Sequence, residues 1–229
     1  MENYKKNLEL LTKNHVYSKE MEHDACGVGL IASTEGKKSR AIVEYGIEAL
    51  KAVWHRGAVD ADGKTGDGAG IHVEIPKDFF IEKIQVTGHD YDNSEICVGM
   101  IFLPRNDYSA QESCKTIVES ELTKNNFSIY GWRQVPVNSK VLGEKALQTM
   151  PEIIQVLFKP NDPNLLDKNL ERKIYEIRKR IENKAFDASL NNFYICSISS
   201  KSIIYKGLYL AESLSCLLYT SDAADDGLC

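Results

Sequence analysis

Asp24-Ala25-Cys26-Gly27-Val28-Gly29-Leu30-Ile31 opens the stretch that decides how this chain is read. Trp54-His55-Arg56-Gly57-Ala58 lies in the middle, and Asp60-Ala61-Asp62-Gly63-Lys64-Thr65-Gly66-Asp67-Gly68-Ala69-Gly70 closes it. Residues 57–70 alone carry five glycines and three aspartates. Glycine permits turns and close backbone approach that other residues resist. A cysteine followed by Gly-x-Gly, leading into apolar residues, is a sulfur that a ligand can approach. Two further glycine-rich turns follow it, so any chemistry is expected here.

Outward from this stretch, the apolar run Val28–Ala32 predicts a buried strand. Val43, Ile47, Leu50 and Trp54 recur at helical spacing, predicting a helix over Ser39–Trp54 with Ser39 as its cap. Ile71–Ile75 alternates like a half-buried strand. Pro76 opens a short helix carrying Phe79, Phe80 and Ile84. Strands are expected at Ile96–Leu103, Trp132–Val137 and Pro151–Phe158, and a helix at Tyr108–Lys124. Leu170, Ile174, Ile177 and Ile181 form one stripe of a helix over Asp167–Lys184, whose basic residues lie off the stripe on a solvated face. Phe193–Ser199 and Ser202–Gly207 read as a hairpin turning at Ser200-Lys201. The order of elements gives an α+β layered domain. Residues 1–25 are polar and mixed, with a short helix across Glu2–Lys13 as one reading and a removable leader as the other.

The composition narrows the function classes. The chain has 229 residues and a formal net charge of −5, without the clustered basic excess of a nucleic-acid binder. No apolar run approaches the roughly 20 residues of a membrane helix, and no secretory h-region is seen. The six cysteines include no C-x-x-C pair, so their spacing fits neither a zinc site nor a disulfide framework. A reducing, cytoplasmic setting is the simplest expectation. Cys97 and Cys196 are expected in the core, with Cys114 on a helix. The 57–70 loop lacks both the EF-hand spacing and the P-loop pattern. No metal site is expected. His55 and His72 read as structural, and Trp132, Phe79 and Phe80 as core.

Residues 216–229 stand apart. Cys216-Leu217-Leu218-Tyr219-Thr220-Ser221-Asp222-Ala223-Ala224-Asp225-Asp226 matches the translation of an adapter used in sequencing-library preparation. This tail is expected to be non-native and is excluded from fold reasoning.

A free thiol, with a pKa near ~8.5, is mostly protonated at neutral pH and needs a base. If Met1–Ala25 is removed, Cys26 gains an α-amine of pKa ~7.7–8.0. An N-terminal amine can deprotonate the side chain of its own residue. Ala25 is a small residue before that cut.

Three blocks, Cys26-Gly27-Val28-Gly29, His55-Arg56-Gly57-Ala58 and Asp60–Gly70, together resemble the opening of glutamate synthase large chains. That opening is a class II glutamine amidotransferase domain of the N-terminal nucleophile hydrolase superfamily. The resemblance runs from about Glu22 to Ser215 and strengthens again at Ile204-Tyr205-Lys206-Gly207-Leu208. It implies a four-layer αββα sandwich, incomplete at its C-terminal end. It divides the chain into a leader or propeptide (1–25), a partial amidotransferase domain (26–215) and the tail (216–229). Cys26 is implied as the nucleophile that attacks L-glutamine, with Arg56, Asp67 and Gly68 binding substrate or ordering the site. Ammonia would travel to 2-oxoglutarate at a separate flavin site.

FMN and an iron–sulfur cluster are implied for the remainder of such a synthase, with no cofactor in these residues. The implied partners are that remainder and an electron donor, either a small subunit or ferredoxin. The family's glutamine-carboxylate arginine and oxyanion-hole Asn-Gly pair follow the segment matching Tyr205–Leu210, where this chain has already departed. The chain as written is therefore expected to be inactive alone or poorly folded. Two alternatives stand beside this reading. One is a non-catalytic binding or structural domain of the same fold, and the other is a different N-terminal-cysteine amidohydrolase.

Overall fold

The structure, a computed structural model, describes residues 2–13, 26–53 and 57–214. After α1 (Glu2–Lys13), the elements run α2 (Arg40–Ala52), β1 (Ala69–Glu74), α3 (Lys77–Val86), β2 (Cys97–Leu103) and α4 (Tyr108–Lys124). They continue through β3 (Phe127–Gln134), a 3₁₀ turn (Ser139–Val141), α5 (Glu144–Thr149), β4 (Glu152–Pro160) and α6 (Asp167–Asp187). The last strands are β5 (Tyr194–Ser199) and β6 (Ser202–Gly207). No described helix is long and apolar enough to cross a membrane.

Local chemistry sets most of these elements. The α6 stripe is buried along Leu170, Ile174, Ile177, Ile181 and Ala185, as its spacing requires. α4 starts where the Asp107 side chain accepts the Ala110 N–H at 2.9 Å, and it buries Cys114, Val118 and Leu122. Its end is set by Asn126 at φ +66°, a left-handed turn that asparagine tolerates. Ser39 does occupy the N-cap of α2, but its side chain makes no capping bond.

Four strands form an antiparallel sheet in the order β3-β4-β2-β5, while β1 and β6 form a separate antiparallel pair. α4 and α6 cover the outer face of the larger sheet through Cys97, Ile101, Val156, Phe158 and their helical stripes. Its inner face, including Val98, Met100 and Leu157, meets Ile203 and Tyr205 of β6. α2 packs on β1, which completes the α, β, β, α layering. Cys97, Cys114 and Cys196 are all buried.

Three expectations are corrected. Residues 26–33 form no strand, and among the described residues no ladder pairs with them. Val28 and Leu30 are each 89% exposed, so the apolar run there is not buried. A strand exists only through a paired neighbour, and the apolar pattern does not supply one.

The expected hairpin of β5 and β6 is not a paired hairpin. β5 pairs with β2 and β6 with β1, so the chain changes sheets at the turn. Ser199 Oγ accepts the N–H groups of Lys201 and Ser202, and the Glu171 carboxylate accepts from Ser199 Oγ, Ser200 N and Ser200 Oγ at 2.7–2.9 Å. These bonds take the backbone groups that would begin a hairpin ladder. Lastly, the strand expected at Trp132–Val137 is β3, Phe127–Gln134. A bulge between Ile129 and Gly131 breaks the alternation that would have revealed it.

Glu171 therefore holds the corner that joins the two sheets. Replacing Glu171 with alanine is expected to lower the unfolding free energy by about 1.5–3 kcal/mol, the range for hydrogen bonds to a charged group. Glu176→Ala, which breaks only the exposed pair with Arg172, is expected to stay within about 0.5 kcal/mol. Urea titration of both variants checks this.

Candidate active site

The loop from Gly57 to Gly68 folds back on itself before entering β1. Val59 and Gly66 form an antiparallel bridge, and the Asp67 N–H donates to the Ala58 carbonyl at 3.2 Å. Inside that frame the Asp60 N–H donates to Thr65 O, and the Gly63 N–H donates to Asp60 O, each at 2.9 Å. Gly63 takes φ +68°, the turn conformation that selects glycine. Asp67 and Gly68, both singled out by sequence, sit exposed at the end of this loop. Gly68 has φ +132°, where any side chain would be strained.

Two outside elements clamp the loop. A Cβ on Gly66 would lie 2.7 Å from the Tyr209 carbonyl oxygen, and one on Gly70 would lie 2.8 Å from the Tyr205 carbonyl oxygen. The loop exit and β1 thus run in backbone contact with β6 and the residues after it. On the other side, Lys145 of α5 pairs with Asp60 at 2.7 Å. Asp62 accepts from Lys64 N, Thr65 N and Thr65 Oγ1 at 2.6–2.9 Å. The Thr65 hydroxyl, with the Thr65 and Lys64 N–H groups, holds the Asp62 carboxyl well below the usual carboxylate range. A carboxyl depressed in this way stabilises the fold above the ordinary aspartate range, and that contribution is lost only as pH falls through its lowered value. The loop therefore keeps its anchor from about pH 5 to 8.

Next to the clamp lies a small cavity of about 60 Å³, lined by Phe102, Leu142, Ala146, Met150, Leu208 and Tyr209 among others. The Tyr209 ring packs against Gly207, and its buried hydroxyl has no hydrogen-bond partner among the described residues. Burial pushes that phenol up from its ordinary value.

The four described cysteines divide sharply. Desolvation raises the thiols of Cys97, Cys114 and Cys196, to about 11 for the latter two, which disfavours their thiolates. Cys26 is exposed, and its sulfur makes no hydrogen bond to the described residues. Arg56, with Trp54 and His55, lies outside the described residues. The structure thus joins Asp67 and Gly68 in one clamped loop, while Cys26 stands on the unpaired 26–33 segment. Sequence reasoning missed Asp62, Gly143, Lys145 and Tyr209 as loop anchors. Only the Gly143-Glu144 helix start was a signal for the α5 side. No group of His, Cys, Asp and Glu among the described residues is gathered so as to hold a metal ion.

The glycine contacts give a direct test. Gly66→Ala is expected to destabilise the fold by about 1–3 kcal/mol, the usual effect of overpacking, because backbone rather than a flexible side chain must yield. At Gly29, where nothing lies within 4 Å of an added Cβ, the same substitution is expected to be neutral within about 0.5 kcal/mol. Thermal melts of the two variants separate these outcomes.

Comparison with known proteins places this geometry. The chain is 53% identical over 212 residues to the glutamate synthase [NADPH] large chain of Azospirillum brasilense, covering 93% of this chain and 14% of that protein. It is 38% identical over 201 residues to the chloroplastic ferredoxin-dependent glutamate synthase of Spinacia oleracea, covering 86% and 12%. It is also 38% identical over 188 residues to ferredoxin-dependent glutamate synthase 2 of Synechocystis, covering 82% and 12%. The chain therefore spans about one-seventh or less of the length of these relatives. The family model for class-II glutamine amidotransferases matches residues 26–227, beginning at Cys26. With its αββα layers of the N-terminal nucleophile hydrolase fold, the chain belongs to the class-II glutamine amidotransferase family.

Proposed function

We propose that these residues are the glutaminase part of a glutamate synthase and that Cys26 is its nucleophile. The observation that carries this reading is the position of Cys26. It is the exposed thiol among the described cysteines, it is flanked by Gly27, and it is the first residue of the family match. Removal of Met1–Ala25 frees its α-amine. That amine takes the thiol proton as sulfur attacks the side-chain amide of L-glutamine, and returns it to the departing nitrogen. Ammonia leaves and a γ-glutamyl thioester remains. Water then adds to the thioester, releasing glutamate and restoring the thiol. Arg56, Asp67 and Gly68 bind or order the substrate.

In this reading ammonia passes to 2-oxoglutarate on the remainder of the synthase chain. FMN and an iron–sulfur cluster belong to that remainder, and we assign no residue here to either group. The electron donor is a further partner.

One observation favours the non-catalytic alternative: the 26–33 segment is largely exposed and pairs with no strand among the described residues. The test is made on a complete large chain containing these residues, exposed to the glutamine analogue 6-diazo-5-oxo-norleucine and examined by intact mass and N-terminal sequencing. A start at Cys26 bearing a single adduct is expected, and Cys26→Ser is expected to lower glutaminase turnover by at least about 1,000-fold. An unprocessed Met1 start without adduct overturns the reading in favour of the non-catalytic domain.

A further inference from the structure

We propose that Asp62 is a positioning residue for this reaction, bracing the 57–68 loop against Gly143 at the start of α5 and so setting where Asp67 and Gly68 lie. The proposal rests on the glutaminase reading above.

The Asp62 carboxylate is held by donors of its own loop and lies against Gly143, at the start of α5. Within its own loop it receives Lys64 N at 2.9 Å, Thr65 N at 2.7 Å and Thr65 Oγ1 at 2.6 Å. The fit across the junction is tight. A Cβ on Gly143 would stand 2.2 Å from Asp62 Oδ2 and 2.3 Å from Thr65 Oγ1. Only glycine at 143 lets the loop approach this closely. Thr65, the residue Asp62 holds, is buried, and Gly66 follows it into the bridge with Val59.

Asp60 does not share this role. Its contact with α5 is an ion pair to a Lys145 side chain that is 72% exposed, a kind of pair that contributes little. Beyond Gly66, the bond that Asp67 makes among the described residues is its backbone N–H to Ala58. The placement of its side chain therefore depends on the anchors before it, and Asp62 is the one that both ties the loop to itself and meets the start of α5 in close contact.

The test uses a complete large chain and measures two modification rates at Cys26, one with 6-diazo-5-oxo-norleucine and one with iodoacetamide. The first reagent needs the glutamine site and the second needs only an accessible thiol. Asp62→Ala is expected to slow the first about tenfold or more, since small misplacements in a site cost that much or more, and to leave the second within about twofold. Asp62→Asn keeps an oxygen for the Lys64 and Thr65 N–H groups, so it is expected to recover part of the loss. Gly143→Ala is expected to reproduce Asp62→Ala, and the double variant to be no worse than either alone.

Equal rates with the glutamine analogue in wild type and both Asp62 variants overturn the role of Asp62 and leave the nucleophile standing. A change of both reagents together, in Asp62→Ala or in Asp62→Asn, shows a purely structural residue and also overturns it. Wild type left unlabelled by the glutamine analogue overturns the nucleophile reading itself, and this proposal with it.

Discussion

Residues 66–70 and 205–209 lie so close together that no side chain fits between their backbones at Gly66 or Gly70. The glycine-rich loop has its shape because of this contact. β1 pairs with β6 from Ala69–Gly207 to Glu74–Ser202, so the loop is delivered to a fixed height along the small sheet. β6 is in turn placed by the corner at Ser199–Lys201, which the Glu171 carboxylate ties to α6. A helix on the outer face of one sheet thereby fixes a loop at the edge of the other. The glycines of the loop allow that transfer without an intervening layer of side chains.

How much of this was readable depends on where the information lies. The α6 stripe needed only the spacing of Leu170, Ile174, Ile177 and Ile181, and its burial follows from that spacing. Ile71–Val73 and Cys97–Leu103 were equally legible, since apolar content and flanking turns are local. The pairing of β5 and β6 was not. Their sequences read as a hairpin, and the choice of two separate sheets rests on Glu171, far away in sequence. Val28–Ala32 failed for the same reason, because an apolar run states a preference for burial without naming a neighbour. At the site, Cys26 and the Asp67-Gly68 turn stood out through residue type. Asp62 did not, because Gly143 comes up against it only in the folded chain.

The charges follow a related division. Pairs such as Lys37–Glu35 are exposed on both sides and add little. Glu121 is different, with its side chain 5% exposed and paired to Lys184, so that α4 and α6 are joined through a carboxylate largely withdrawn from water. Removing only the lysine would strand that charge. The outer helical layer is thus joined by a contact that is asymmetric, costly to break from the lysine side and cheaper from the carboxylate side, because Lys184 keeps its access to water.

The pairing of β1 with β6 also has a consequence in time. Phe127 meets Pro160 and Cys97 meets Phe158, whereas Ala69 must wait for Gly207. Closing that longest loop carries the largest entropic cost of any ladder here. A chain made from its N-terminus therefore completes the larger sheet before the smaller one can form. The glycine-rich loop emerges early, yet its backbone seat at Tyr209 is among the last described residues to be made. During synthesis Cys26 is carried ahead of a loop that has its internal bonds but not yet its seat on β6. The final placement of the loop is thereby withheld from the nascent chain until the strand that seats it has been added.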